Sequence, residues 1–226
     1  MRLISIDLSL NTGIAVFDID ETNQYKLIHY YTIFGKEKTD KLKQNDPLGN
    51  DHPYDMYYKV ISFINKLMKQ ILLEINPMIE TLIIIEQTNR SMNRATQKIL
   101  EWLHFSLCTQ LINNRLPIKY IDTSEWRKLL NIKVDDEVKA YNKRLKRKKE
   151  KGLINIKHVT IFYVNETFNL ELKPKDENTA DAICLGCAQI KIMQMGQEYV
   201  KQRFEMKEKR LKEKGLKRKK RRTKVI

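Results

Sequence analysis

The sequence predicts an α/β fold, a five-stranded mixed sheet flanked by helices, with a basic helical insertion and a basic C-terminal tail. Three strand patterns joined by short polar turns open the chain. Two further short strand patterns then alternate with long amphipathic helices. Positive charge is concentrated in two late segments rather than spread over the surface.

Arg2 to Leu8 reads as a buried strand that ends around Asp7. Leu10-Asn11-Thr12-Gly13 reads as a turn in which Gly13 supplies permissive backbone. Ile14 to Ile19 is the second strand, and Tyr25 to Phe34, with alternating character, the third. Residues 35–53 are polar, contain Pro47 and Pro53, and predict a loop. Val60, Ile61, Ile64, Leu67, Ile71 and Leu72 recur at helical spacing, so Met56 to Ile75 predicts a long helix stopped by Pro77. Thr81 to Glu86 is almost wholly apolar, the pattern of a central parallel strand covered on both faces.

Ser91 to Asn113 predicts a second long helix, and Pro117 to Ile121 a short fifth strand. Asp122-Thr123-Ser124-Glu125 has the pattern of a cap for a short helix bearing Trp126 and Arg127. The stretch from 136 to 151 is helix-prone and closed by Gly152; Ile156 to Phe168 is a further helix. A polar turn at Lys175–Asn178 leads into a last helix from Thr179, whose continuation after Gly196 is charged enough to be a solvated helix or a frayed tail. Three antiparallel strands, a helix, then parallel strands alternating with helices is the element order of an RNase H-like fold. One domain over residues 1–195, with its insertion at about 135–152, and a basic extension over 196–226 are the expected divisions.

The chain carries a formal charge of +15. Residues 201–226 hold 14 Lys/Arg against 3 Asp/Glu, and residues 139–151 hold 8 against 1, which leaves −3 on everything else. A slightly acidic body with two basic arms keeps phosphate contacts apart from carboxylates that hold metal. Solvated helix faces are the plainer reading of such runs, but six adjacent cations at 217–222 call for an anionic partner. The longest apolar run, Leu82-Ile83-Ile84-Ile85, has strand length and is far short of the ~20 residues of a membrane span. The N-terminus opens directly into a strand and predicts no signal peptide. Cys108, Cys184 and Cys187 lie in apolar helical stretches and read as small buried hydrophobes of a reducing cytoplasm, the host's if the protein is viral, with no small-molecule ligand implied.

Three carboxylates carry the chemistry. Asp7 ends the first strand between Ile6 and Leu8, Glu86 ends the Leu82–Ile85 strand, and Asp181 sits one turn into the last helix. A carboxylate in an apolar strand is costly unless paired or bound to metal, and strand ends are where α/β folds place their sites. Each alone would be read as a cap or an ion-pair partner. Together they repel one another unless a divalent cation lies between them.

Ile4-Ser5-Ile6-Asp7-Leu8-Ser9 with Thr12-Gly13, then Ile85-Glu86-Gln87, Ser124-Glu125-Trp126-Arg127 and Ala180-Asp181-Ala182 resemble the RuvC-like Holliday junction resolvases, crossover junction endodeoxyribonucleases. The S-E-W-R element most resembles versions from bacteriophages and low-GC bacteria. The resemblance covers residues 1 to about 195. It implies an RNase H-like core, a homodimer, two magnesium ions per active site that manganese can replace, and paired nicking of branched DNA such as a four-way junction. It places Asp7, Glu86 and Asp181 on the catalytic, metal-holding positions. Three residues before the last of these the family has Asp or His, where this chain has Asn178. Glu177, at i−4 from Asp181, projects onto the same helix face and supplies the missing charge, or Asn178 ligates as a neutral oxygen donor. Asp176 is a weaker candidate, better suited to capping. Lys157 falls about where the family places a DNA-contacting lysine, though a solvated helix-end lysine looks the same. Arg90, Asn93 and Arg94 follow Glu86 and could meet the strand at the site, or be exposed helix-start residues. Lys146, Arg147, Lys148 and Lys149 are the DNA-contact candidates of the insertion.

Other readings share these residues. A non-catalytic nucleic-acid-binding module on the same fold is favoured by Asn178 and opposed by the surviving trio, and an RNA-processing member of the fold would use the same metal site, which does not distinguish the two backbones. The first phosphate loop of actin-like kinases also resembles Ile6-Asp7-Leu8-Ser9, but the second phosphate loop and the longer chain it needs are absent.

Overall fold

The computed structural model of the protein describes residues 1–35, 53–87 and 93–222, so the predicted loop at 36–52 and Arg90 lie outside the described residues. Strands β1 (Arg2–Asp7), β2 (Asn11–Ile19) and β3 (Tyr25–Phe34) form the predicted antiparallel meander. Helix α1 (Pro53–Glu74) leads to β4 (Thr81–Gln87), and α2 (Arg94–Asn113) leads to β5 (Ile118–Asp122). The sheet order is β3-β2-β1-β4-β5, with β4 parallel to both β1 and β5. Helices α3 (Thr123–Leu129), α4 (Asp136–Lys148) and α5 (Ile156–Phe168) follow. A single 3-10 turn at Pro174–Asp176 then precedes α6 (Glu177–Arg222).

Alternation along the strands divides the core. Ile4, Ile6, Ile14, Val16, Ile83 and Ile85 face α1 and α2, where Ile64, Leu67, Ile71, Leu103, Leu107 and Leu111 are fully buried. Removing each such side chain from water stabilises the fold by roughly 1.5–3 kcal/mol. Ser5, Ala15 and Phe17 have the opposite parity and lie under α6. There the Ser5 hydroxyl donates to the Ala182 carbonyl at 2.7 Å, and a Cβ on Gly186 would lie 2.2 Å from the Phe17 ring. Asp7 and Glu86 share the parity of Ser5 and Ile84, so both carboxylates emerge on the α6 side.

The structure moves several predicted boundaries, each for a local reason. Leu10–Gly13 is not all turn: β2 begins at Asn11, because Ser9 and Thr12 close the turn through Thr12 Oγ1 donating to Ser9 O at 2.6 Å. Gly13 is therefore a strand residue, with no left-handed backbone to explain it. Helix α1 ends at Glu74, before Pro77. Helix α4 is closed by Lys149 in the left-handed region (φ 56°), three residues before Gly152. Helix α6 starts at Glu177 rather than Thr179, with the 3-10 turn taking up Pro174.

The chain divides into two compact units, Met1–Gln189 and Ile190–Ile226. In the second, the helical backbone is interrupted at Gly196, whose φ of 74° and ψ of −175° suit glycine.

Candidate active site

In-register pairing of β1 with β4 sets Ile6 beside Ile85, so Asp7 and Glu86 leave adjacent strand ends together. Their carboxyls lie within hydrogen-bonding reach of each other. Asp181 joins them because α6 is pressed onto the sheet at its first turns: the Thr179 and Thr32 hydroxyls meet at 2.6 Å, and Asn178 Nδ2 donates to the Asn11 carbonyl at 2.5 Å. Asp181 is only 6 % exposed.

The electrostatics are those of crowded acids. Burial pushes the Asp7 carboxyl well above the usual carboxylate range, and the negative charges of Glu86 and Asp181 push it further. Asp181 is pushed up to about 7, first by burial, then by Glu86, against the opposing pull of Arg127 and Lys157. The Arg127 guanidinium lies 3.9 Å from Asp181 Oδ2 and stacks over the Trp126 ring at 4.8 Å. Glu86 Oε1 accepts from the Trp126 indole N–H at 3.0 Å and from the Thr123 hydroxyl.

Whether these residues suit a divalent cation is tested by Asp181 Oδ1, a buried oxygen with no hydrogen-bond partner among the described residues. Three acidic side chains with one orphaned oxygen have the donor chemistry of a magnesium or manganese site. Their side chains do not converge on one point, and among the described residues no three His, Cys, Asp or Glu side chains are arranged as a ligand set. Like charges account for this: Glu86 turns to the donors of α3, and Asp181 Oδ2 to Arg127.

The remaining predicted residues fall into three groups. Glu177 opens α6 and pairs at 2.5 Å with Lys157 Nζ, and both act electrostatically on Asp181. Asn178 instead ties α6 to the start of β2. Asp176 accepts from Lys173 N at 2.9 Å and caps the 3-10 turn. Asn93 is the N-cap of α2, its Oδ1 accepting from Ala95 N at 2.9 Å, and Arg94 is the exposed first residue of that helix. In α4, Lys146 and Arg147 line a cavity of about 490 Å³ with Lys139, Asn142 and Lys143. Lys148 turns to Glu150 at 4.0 Å, and Lys149 serves as the C-cap. Thr123, Trp126 and Arg127 join the candidate site; periodicity placed them only on a capped helix, and the S-E-W-R element singled out Trp126 and Arg127 without giving them a role. Their signal was spacing, since positions 123 and 126 share a helix face immediately after the strand that neighbours Glu86. Cys184 and Cys187 are buried in α6, as expected of apolar-helix cysteines.

The mixed sheet, the helices on both faces and the carboxylates at the ends of β1 and β4 and the start of α6 define an α/β protein of the RNase H-like class. No family model and no curated protein sequence matches the chain. Among solved structures it is similar to Thermus thermophilus RuvC, at 12 % identity and a TM-score of 0.51 over 87 % of this chain and 97 % of that one. It is similar also to T. thermophilus RuvC in complex with Holliday junction substrate, at 11 % identity and a TM-score of 0.50 over the same shares, 87 % and 97 %. The yeast mitochondrial Holliday junction resolvase Ydc2 aligns at 16 % identity and a TM-score of 0.48, over 89 % of this chain and 83 % of that one. The chain has the RuvC-like resolvase fold.

Proposed function

We propose that this protein is a divalent-metal-dependent, structure-selective DNA endonuclease that acts as a homodimer and resolves four-way or other branched DNA junctions by paired nicks. The gathering of Asp7, Glu86 and Asp181 at one side of the sheet carries the reading, because burial and the negative charge of Glu86 raise the proton affinity of Asp7 and of Asp181, and acids crowded in this way have a use for a cation. The RuvC of like fold has been solved on a Holliday junction substrate, which supports branched DNA as the partner.

When bound, two magnesium ions would supply a deprotonated water for in-line attack and charge stabilisation at the leaving 3′-oxygen. Asp7 and Asp181 would hold one and Asp7 and Glu86 the other, with Glu177 the outer carboxylate of the first. Lys157, half-exposed beside Glu177, offers a cation to the incoming phosphodiester, and Arg94, exposed at the start of α2, is a further candidate contact. Lys139, Lys143, Lys146 and Arg147 form a cationic stripe at helical spacing on α4 for a duplex arm, assisted by the basic tail.

A gel assay of the purified protein with magnesium on four-way junction, linear duplex and structured RNA tests the proposal. Symmetric nicks confined to the junction are expected. Cleavage of RNA alone, or binding without cleavage under magnesium and manganese, would replace it with the RNA-processing or the binding-module reading.

A further inference from the structure

Helix α3 is short and follows β5 without a linker. Asp122 caps it, its Oδ1 accepting from Ser124 N at 2.8 Å. The parallel β4–β5 register sets Glu86 beside Ile121, so the helix begins two residues from the level of that carboxylate. Thr123 and Trp126, one helical turn apart, then both donate to the same oxygen, Glu86 Oε1. Trp126 is fully buried, so its indole N–H has no access to water and needs an acceptor inside the protein. Two donors on one oxygen fix the rotation of the carboxylate where it lies beside Asp7. The next residue, Arg127, faces Asp181 at 3.9 Å, so one helix touches two of the three acids.

We propose that Trp126 and Thr123 are positioning residues that hold Glu86, through Oε1, in the orientation in which it receives a divalent cation. The proposal rests on Glu86 being a metal ligand, as in the nuclease reading. Hydrogen bonds to a ligating carboxylate set its orientation and basicity, and their loss costs about 10–100-fold in metal affinity or activity. Packing alone does not explain the arrangement, because a buried Phe or Leu would fill the same space without placing an N–H on a carboxylate.

The test uses the full chain and reads metal binding apart from cleavage. Calorimetric titration with Mn²⁺ and Mg²⁺ is expected to show roughly tenfold weaker binding for Trp126→Phe and for Thr123→Val, with Thr123→Ser restoring the wild-type value. The Trp126 indole N–H resonance is expected to move on Glu86→Gln and on metal addition, while that of Trp102 stays put. Should Trp126→Phe fail to fold, the Thr123 pair and the Glu86→Gln shift decide the matter alone. Variants that bind metal within twofold of wild type, or an indole resonance indifferent to Glu86→Gln, overturn the positioning role and leave the nuclease reading standing. Metal binding that weakens as expected in a protein unable to cut any junction supports the positioning role and removes the nuclease reading. Absence of metal binding by the wild-type chain overturns both.

Discussion

Gly13 and Asn178 are in backbone contact: a Cβ on Gly13 would lie 1.9 Å from the Asn178 carbonyl oxygen and 2.7 Å from Thr179 N. The first turn of α6 rests directly on β2, and that contact sets the depth at which Asp181 reaches Asp7 and Glu86.

Gly13→Ala is therefore expected to be among the most damaging substitutions of a single methyl group. Backbone cannot move aside as a flexible side chain can, so the helix start must lift. A loss of about 3 kcal/mol is expected, the upper end for overpacking. Thermal unfolding and the cleavage rate report it together, since a lifted α6 also withdraws Asp181. A variant with wild-type melting temperature and activity would show that the contact is not tight.

The acids give a second expectation, with its sign fixed by the direction of their shifts. Asp181 is pushed up to about 7 and Asp7 is raised well above the usual range, whereas unfolded carboxyls titrate near 4. Between those values the folded protein keeps protons that the unfolded chain releases, so stability falls as pH rises from about 4 through 7. Without divalent cations the melting temperature should drop by on the order of 5 °C between pH 5 and pH 8. Asp181→Asn should flatten that slope, raise the melting temperature at pH 8, and abolish cleavage. Added Mg²⁺ should restore the wild-type protein at pH 8 and leave the variant unmoved. A melting temperature that rises from pH 5 to pH 8 in chelator contradicts the shifts.

How much of this was legible beforehand depends on how far each feature reaches along the chain. The five strands and the order of the helices follow from local periodicity, and β3 and α5 come out with their predicted bounds. Asp7, Glu86 and Asp181 were legible because acids stand out in apolar strands and in a small-residue helix turn. Gly13 was read as a turn glycine because its reason, a neighbour 165 positions away, leaves no local trace. Trp126 was legible only as part of a capped helix and of the S-E-W-R element, since nothing nearby in sequence says that its indole N–H meets Glu86. Helix α2 carries Leu100, Trp102, Leu103, Phe105 and Leu107 on more than one face: Leu103 and Leu107 are buried, Leu100 and Trp102 pack against the core, and Phe105 is the one of these five left exposed.

Phe105, 75 % exposed, and Ile112, 65 % exposed, sit two turns apart on one side of α2, and this side is the expected two-fold interface. Phe105→Glu should convert a dimer to a monomer without lowering the melting temperature by more than a degree or two, because neither side chain belongs to the core. Sedimentation at micromolar concentration with and without junction DNA checks it. Wild-type protein that is monomeric in both conditions removes the dimer, and with it paired nicking by one complex.

Glu177 and Asn178 divide the role at the start of α6 unequally. Glu177 is on the Asp181 face and paired with Lys157, while Asn178 spends its amide on Asn11. Glu177→Gln is expected to slow junction cleavage more than tenfold with binding intact, and Asn178→Ala to act mainly through stability. Asn178→Asp should keep or raise activity and lower the magnesium needed for half-maximal rate, unless loss of the amide bond to Asn11 dominates, which the melting temperature would reveal. Full activity in Glu177→Gln beside a stable but inactive Asn178→Ala reverses the assignment.

The two basic regions should separate in their salt dependence. Each phosphate neutralised by Lys or Arg releases counterions, so log K falls with log salt by about 0.9 per contact on duplex DNA. Lys139, Lys143, Lys146 and Arg147 line one cavity of α4, whereas Lys148 leans on Glu150 and Lys149 ends the helix. Replacing the first four with Gln should lower the slope by roughly three and a half units, and replacing Lys148 and Lys149 by less than one. Removing the chain after Gly196 should lower it by about five if six phosphates are engaged, with junction preference over linear duplex kept. Filter binding or fluorescence anisotropy across a salt series measures all three. An unchanged slope in the four-residue variant shows that the α4 stripe does not meet DNA, and an unchanged slope in the truncation turns the tail toward a protein partner.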